Sequence, residues 1–140
     1  TNEITYGNQL LGASLFFIPR DMWKDKPTGS GAYIAGINDF DWTNIGLCYF
    51  AEGFINFGYF GVILFCLVLS YLCAKLDFQY WFFLDKNSIF FKTYYLLFLG
   101  LLFFILRGDL LNTIAYSIGV FLCVKFLYYL LKFVKIIEIK

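Results

Sequence analysis

One apolar run in this sequence is long enough to cross a lipid bilayer. From Gly53 to Ala74 the chain has 22 consecutive uncharged residues, and about 20 apolar residues span the hydrocarbon core. Composition agrees, because 61% of the residues are hydrophobic and only 15% are charged. A soluble domain typically has roughly 45–50% apolar and about 25% charged residues. We therefore predict an integral membrane protein.

Two further runs predict additional spans. Residues 93–106 are uncharged, and this run reaches spanning length if residues 89–91 join it and Lys92 extends its ammonium group to the lipid headgroups. Residues 110–131 are interrupted only by Lys125, which can do the same. The predicted fold is all-α and polytopic, with three transmembrane helices at about residues 53–74, 89–106 and 110–131.

Lysines are concentrated on one side of these predicted spans. Residues 75–92 contain three lysines and two aspartates, and residues 132–140 contain three lysines and one glutamate. Residues 1–52 instead contain three cations and six acids. The positive-inside rule therefore places the first two regions in the cytoplasm. Residues 1–52 and the short turn at 107–109 then lie together on the outer face.

The region before the first span is predicted to be a long outer loop, residues 1–52. Within it, residues 8–18 form an apolar stretch that is too short to cross the bilayer and ends at Pro19. We predict a short helix there that lies in the membrane interface. Residues 27–31 combine proline and glycine and predict a turn.

The residue types narrow the chemistry that this chain can perform. There is no histidine, and the four cysteines lack the CxxC spacing of metal ligands, so we predict no metal site. The net charge is +1 and no basic run is present, which argues against a nucleic-acid partner. Proton transfer would then fall to a carboxylate, and anion binding to arginine or lysine.

The candidate anion-binding residues are Arg20, Lys24, Lys26 and Arg107. Arg20 and Arg107 are the two arginines of the chain, and both lie on the predicted outer face. A guanidinium group grips phosphate oxygens with a planar fork, whereas a lysine acts as a point charge. We predict that these four residues hold an anionic substrate. The alternative is that they only contact lipid headgroups.

Glu52 and Asp109 are the candidate catalytic carboxylates. Glu52 opens the first apolar run, where an ionisable group is costly and indicates a function. We predict that it acts as a general base, the alternative being that it only favours the helix dipole. Asp109 directly precedes the third span, so it is placed to cap that helix. A helix N-terminus also favours anions, so a cap can also contact substrate.

The order of several short motifs resembles bacterial O-antigen polymerases of the Wzy type. The motifs cover most of residues 9–120 and stand in the outer loop, at the start of the first span and in the last turn: Gln9-Leu10-Leu11-Gly12, Phe16-Phe17-Ile18-Pro19-Arg20, Trp23, Lys26-Pro27, Gly29-Ser30-Gly31, Ala51-Glu52-Gly53, Asn56-Phe57-Gly58, Gly61, Leu106-Arg107-Gly108-Asp109-Leu110-Leu111, Tyr116 and Gly119.

The resemblance implies a multi-pass glycosyltransferase of the bacterial inner membrane that acts on the periplasmic face. Such enzymes join repeat units carried on undecaprenyl pyrophosphate, without a cofactor. The expected partners are this lipid-linked oligosaccharide, membrane lipids and other assembly proteins such as a chain-length regulator. Arg20 and Arg107 would hold pyrophosphate, and Glu52 would deprotonate the acceptor hydroxyl. Because Thr1 begins no signal peptide, we interpret the chain as a C-terminal fragment.

Three other functions remain open. An O-antigen ligase would share the donor chemistry, although no histidine is available as its base. A transporter or flippase of lipid-linked sugars would need charges along its path, and the first span has none. A scaffold subunit would use the aromatic surface to bind a membrane partner. The lipopolysaccharide of mutants distinguishes a polymerase from a ligase. A polymerase defect leaves lipid core with one repeat unit, and a ligase defect leaves lipid core with none.

Overall fold

The computed structural model describes residues 4–82 and 89–134, which are helical and contain no strand. The five helices are α1 (Asn8–Ser14), α2 (Ser30–Ile37), α3 (Tyr49–Phe82), α4 (Ile89–Arg107) and α5 (Leu110–Phe133). Three stretches are long and apolar enough to cross a membrane: Tyr49–Phe82, Phe90–Arg107 and Leu110–Phe133. The predicted all-α membrane fold is confirmed. The middle of the predicted cytoplasmic loop and most of the tail lie outside the described residues.

The first long helix extends beyond the run that predicted it. The sequence indicated a span from Gly53 to Ala74, whereas α3 begins at Tyr49 and continues to Phe82. Lys75 therefore lies on a helix and not in a loop. Charge ends an apolar run but not a helix, because lysine is itself a good helix former.

α3 is broken near its beginning. Phe57 (φ −141°, ψ 17°) and Gly58 (φ 64°, ψ −150°) leave the helical conformation, and only glycine adopts the latter readily. The break divides the helix into α3a, residues 49–56, and α3b, residues 59–82. In a continuous helix Gly53 and Gly61 would lie about 12 Å apart. Here their backbones touch, since a Cβ on Gly53 would lie 2.7 Å from the carbonyl oxygen of Gly61. α3a therefore folds back against α3b.

The N-terminal segment forms hydrogen bonds to the backbone and side chains next to this break. A carbonyl at the end of a helix needs a new partner, and Ile55 O accepts from the backbone nitrogen of Thr5 at 2.9 Å and from its hydroxyl at 3.2 Å. Asn56 is completely buried, and its Oδ1 accepts from the Leu10 nitrogen at 3.1 Å. Its Nδ2 donates to Glu52 O at 2.9 Å. These bonds fix the start of α1 on α3a.

The helices pack into a small core that leaves most apolar side chains on the outside. α1 packs on α5, and α4 contacts both α3 and α5. The buried cluster consists of Ala13, Tyr49, Phe65 and Leu110. Large aromatic and aliphatic side chains remain exposed along all three long helices, as expected where lipid is the solvent. The predicted interfacial helix at 8–18 is shorter, ending at Ser14.

The close approach of α3a and α3b predicts a selective effect of single methyl groups. A Cβ on Gly61 would overlap the carbonyl oxygen of Gly53, so Gly61→Ala should lower stability by roughly 1–3 kcal/mol, as overpacking does. The measurement is thermal unfolding of the purified protein in detergent. Gly100→Ala is the matched control, because Gly100 lies in α4 and a Cβ added there would meet nothing within 4 Å. Equal melting temperatures for the two variants would contradict this packing.

Candidate functional site

Two buried carboxylates lie where the N-termini of α2 and α5 meet. Glu52 is 0% exposed and Asp109 is 7% exposed. Within residues 4–82 and 89–134 they are the only buried acidic residues. Glu52 comes from α3a, and Asp109 directly precedes α5. Burying a carboxylate is costly unless its oxygens accept hydrogen bonds, so their partners decide what this site is.

Both oxygens of Glu52 have partners on neighbouring helices. The Ser30 hydroxyl donates to Oε2 at 2.7 Å, and the Leu110 backbone nitrogen donates to Oε1 at 3.0 Å. Ser30 is the first residue of α2 and Leu110 is the first residue of α5. Glu52 therefore joins the two helix starts through one side chain.

Asp109 makes the reciprocal connection. Its Oδ1 accepts from the Leu111 nitrogen at 3.0 Å and from the Asn112 nitrogen at 3.5 Å, which is the N-cap expected from its position. Its Oδ2 accepts from the Gly31 nitrogen in α2 at 3.0 Å. Each carboxylate thus accepts one hydrogen bond from α2 and at least one from α5. We call this arrangement the carboxylate centre: Glu52, Asp109, Ser30, Gly31 and Leu110.

Small residues are required on the α2 side of the carboxylate centre. A Cβ on Gly29 would lie 2.5 Å from Asp109 Oδ2, and one on Gly31 would overlap the carbonyl oxygen of Ile45. The sequence predicted only a turn at residues 27–31. The structure instead starts α2 at Ser30 and places its first turn against Asp109. A Gly-Ser-Gly triplet at the start of an apolar helix was the available signal.

Arg107 lies beside this centre with a free side chain. It is the last residue of α4, and one residue separates it from Asp109. Its side chain is exposed and forms no hydrogen bond or ion pair with the described part of the chain. The connection is tight, because a Cβ on Gly108 would overlap the Thr113 hydroxyl. The backbone of Arg107 is therefore held close to the carboxylate centre, and its guanidinium group is exposed on the surface.

The other predicted cations lie in the loop between α1 and α2. Arg20 donates to the carbonyl oxygens of Lys26 at 3.0 Å and Pro27 at 3.4 Å. Lys26 donates to the carbonyl oxygens of Phe16 at 2.8 Å and Ile18 at 2.7 Å. These bonds close the loop on itself.

The loop is then fixed near the carboxylate centre through its backbone. Pro27 packs against Gly12 of α1, so that a Cβ there would overlap its ring. Pro27 also lies two residues before Gly29, which contacts Asp109. Lys24 is exposed. The fold therefore brings Glu52 and Asp109 together, with Arg107 two residues before Asp109 in the chain and with Arg20 and Lys26 in the adjoining loop.

The arrangement suits an anionic substrate and proton transfer. Within the described residues no group of three metal-ligating side chains occurs. The carboxylate oxygens and the free guanidinium are the reactive groups at this end of the bundle. The fold and composition together define an integral membrane protein with two buried carboxylates at one end of its helix bundle.

Comparison with known proteins identifies the family. The family model described as O-antigen polysaccharide polymerase Wzy matches residues 41–136. The chain belongs to this family, and this membership supports an O-antigen polymerase-type function in the membrane. The matched range contains Glu52, Arg107 and Asp109, whereas Arg20 and the neighbouring lysines precede it. No curated protein and no solved structure matches the chain.

Proposed function

We propose that this chain transfers a growing glycan from undecaprenyl pyrophosphate to a fresh lipid-linked repeat unit on the periplasmic face of the inner membrane. The observation that carries this proposal is the free guanidinium of Arg107 beside two buried carboxylates. Membership of the Wzy family supports it. The pairing provides an anion-binding group and a proton acceptor at one end of the helix bundle.

The reaction needs few groups from the protein. A hydroxyl of the acceptor sugar attacks the anomeric carbon of the donor glycan. The bond between that carbon and the pyrophosphate oxygen breaks, and undecaprenyl pyrophosphate leaves with both bonding electrons. The acceptor proton passes to a carboxylate. Since the glycosyl–pyrophosphate bond supplies the free energy, the reaction needs no nucleotide.

Arg107 is proposed to bind the pyrophosphate. Its fork can make two parallel charge-assisted hydrogen bonds to phosphate oxygens, and no protein partner within the described residues competes for it. Arg20 uses two of its five donors on backbone carbonyls, so it keeps donors for the same anion. Lys24 and Lys26 add positive charge from the same loop.

The proton acceptor is proposed to be Glu52, with Asp109 as the alternative. Glu52 accepts one hydrogen bond on each oxygen, so each oxygen keeps a free lone pair. Asp109 accepts three bonds and already caps α5. Glu52 is sealed from solvent in this structure, so the acceptor would reach it through a local opening between α2 and α5.

Removing the Arg107 fork should strongly reduce polymerisation and leave the fold intact. Arg107→Ala loses a charge-assisted contact of roughly 1.5–3 kcal/mol, which corresponds to about a ten- to hundredfold lower rate if the contact acts in the transition state. Arg107→Lys should recover only part of the activity, because a point charge cannot replace the fork. Lipopolysaccharide ladders on gels measure the outcome, and lipid core bearing one repeat unit should remain.

Lys125→Ala is the control for the Arg107 variants, since it removes an exposed cation from α5 far from the centre in sequence. Its ladders should be normal. Normal ladders from Arg107→Ala, at wild-type expression in the membrane, would refute the assignment of Arg107.

The Glu52→Gln variant tests the proton acceptor. The amide oxygen can still accept from the Leu110 nitrogen, and the amide nitrogen can donate to the Ser30 hydroxyl, which both donates and accepts. The fold should therefore be retained while chain extension falls by roughly 10²–10⁴-fold, as for loss of a general base. A purified transfer assay with lipid-linked donor and acceptor gives the rate.

Glu52→Ala serves as the comparison, because it leaves the buried Leu110 nitrogen without a partner. It should lower the melting temperature as well as the activity, at a cost of about 1–3 kcal/mol. If Glu52→Gln is both stable and active, Glu52 only holds the two helices together and Asp109 becomes the candidate base.

The proposed orientation can be tested by thiol labelling. With the four native cysteines replaced by alanine, Asp25→Cys should react with a membrane-impermeant reagent in intact spheroplasts. Lys132→Cys, at the end of α5, should react only after lysis. The reason is that lysines are in excess in residues 75–92 and 132–140, and the positive-inside rule places such regions in the cytoplasm. The reverse labelling pattern would place the carboxylate centre in the cytoplasm.

A further inference from the structure

A polar cluster lies between α3b and α4, at the opposite end of the spans from the carboxylate centre. Asp77 Oδ1 accepts hydrogen bonds from the Tyr95 hydroxyl at 2.6 Å and from the Trp81 indole nitrogen at 3.1 Å. Tyr95 is 6% exposed, and its ring stacks on that of Tyr80 with 4.2 Å between the centroids. Tyrosine and tryptophan are enriched where a span meets the lipid headgroups. The cluster is therefore expected at the depth of the headgroups.

A groove leads from this cluster towards the middle of the spans. Its volume is about 270 Å³, close to the lower end of the roughly 300–1,000 Å³ range of ligand pockets. Asp77 and Tyr95 stand at one end of it, and the rest of the wall is apolar: Cys73, Ala74, Phe98, Leu99 and Leu102. Leu99 is 44% exposed, so the groove opens sideways to lipid. A groove with this lining suits an amphiphile with a polar head and an apolar chain.

The carboxylate of Asp77 has no cation beside it. Two neutral groups donate to Oδ1, whereas Oδ2 accepts from no group in the described part of the chain. The nearby Lys75 forms no ion pair with it, because the Lys75 ammonium lies over the Tyr71 ring, 5.6 Å from its centroid. A charge at the edge of a membrane span is costly unless it is paired. The missing partner of Asp77 is a cation.

Lys92 brings the opposite charge from the other helix. It lies three residues before Tyr95 on α4, so the two side chains share a face of the helix, with about 4.5 Å of rise between them. Lys92 is half-buried and forms neither a hydrogen bond nor an ion pair with residues 4–82 or 89–134. An acid on one helix and a lysine on the next, not paired with each other, complement a head that carries both charges.

We propose that this groove binds one phosphatidylethanolamine molecule, with its ammonium group on Asp77 and its phosphate on Lys92. The ammonium group has three N–H donors, as that of lysine does, and so it can donate to the free Oδ2. One acyl chain would follow the apolar wall. Phosphatidylcholine carries the same charges without an N–H donor, and phosphatidylglycerol has no cation. The site goes beyond the proposed function, because it lies away from the carboxylate centre and takes no part in glycan transfer.

Native mass spectrometry of the purified, delipidated protein in detergent tests the choice of lipid. The protein is titrated with phosphatidylethanolamine, phosphatidylcholine and phosphatidylglycerol that have identical acyl chains. Phosphatidylethanolamine should bind about tenfold more tightly than the other two, because only its head makes charge-assisted hydrogen bonds to a carboxylate. It should also raise the melting temperature the most, since a ligand stabilises the state that binds it. Equal affinity for the ethanolamine and choline lipids would overturn the proposal, and this comparison needs no variant.

The Asp77→Asn variant tests the residue. The amide oxygen can still accept from Tyr95 and Trp81, so the fold should be retained. Affinity for phosphatidylethanolamine should fall about tenfold, as expected for loss of a charge-assisted hydrogen bond, while that for phosphatidylcholine should stay the same. Asp25→Asn is the matched control, because it removes an exposed acid from the outer loop, and it should bind as the wild type does. Wild-type affinity in Asp77→Asn would refute the site.

Lys92→Gln separates the two charges of the head. Both the ethanolamine and the choline lipid carry the phosphate, so this variant should weaken the binding of both by a similar factor. Lys125→Gln, which changes an exposed lysine of α5, should weaken neither. A Lys92→Gln protein that binds both lipids normally would contradict the placement of the phosphate. These measurements do not depend on glycan transfer, so an inactive protein that binds the lipid would retain the site and reject only the polymerase mechanism.

Discussion

The structure depends on two carboxylates that are shared between two helix N-termini. The first turn of any helix exposes backbone N–H groups and a partial positive charge, and here α2 and α5 direct theirs at the same buried acids. Glu52 and Asp109 each accept from both helices. Neither helix start could be buried without them, because water is excluded from this place. The loop that carries Arg20 and the turn that carries Arg107 take their positions from this arrangement.

The break in α3 is what allows Glu52 to reach the site. A continuous helix would continue the line of α3b and carry Glu52 away from α5. The left-handed Gly58 turns α3a back, and Gly53 and Gly61 allow the two backbones to touch. Thr5 then satisfies the Ile55 carbonyl at the break, and Asn56 accepts from the Leu10 nitrogen of α1. A local irregularity inside a membrane helix therefore builds the site, in keeping with the rule that non-helical backbone at that depth must be satisfied by protein.

Sequence patterns predicted the long helices well and the site only in part. Apolar runs identify membrane spans because lipid favours apolar side chains. An acid at the edge of such a run singled out Glu52, which is fully buried. Its role as a general base stays a prediction. The partners could not be predicted, because Ser30, Gly31 and Leu110 are 22, 78 and 58 residues from the carboxylates they contact. The break was missed since glycines within an apolar run are equally typical of helix packing. The hydrogen bonds of Arg20 to backbone carbonyls could not be predicted from the sequence.

The hydrogen bond between Ser30 and Glu52 has a consequence for how a proton could be stored and released. A serine hydroxyl can rotate and exchange donating for accepting, whereas the Leu110 backbone nitrogen can only donate. A proton taken up by Glu52 on the oxygen that faces Ser30 would be accommodated if the hydroxyl turns round to accept a hydrogen bond from it. Protonation and deprotonation of Glu52 would then need only a rotation of the Ser30 hydroxyl, and both helices would stay in place. The serine in the Gly-Ser-Gly triplet would then serve both protonation states of Glu52 as well as position α2.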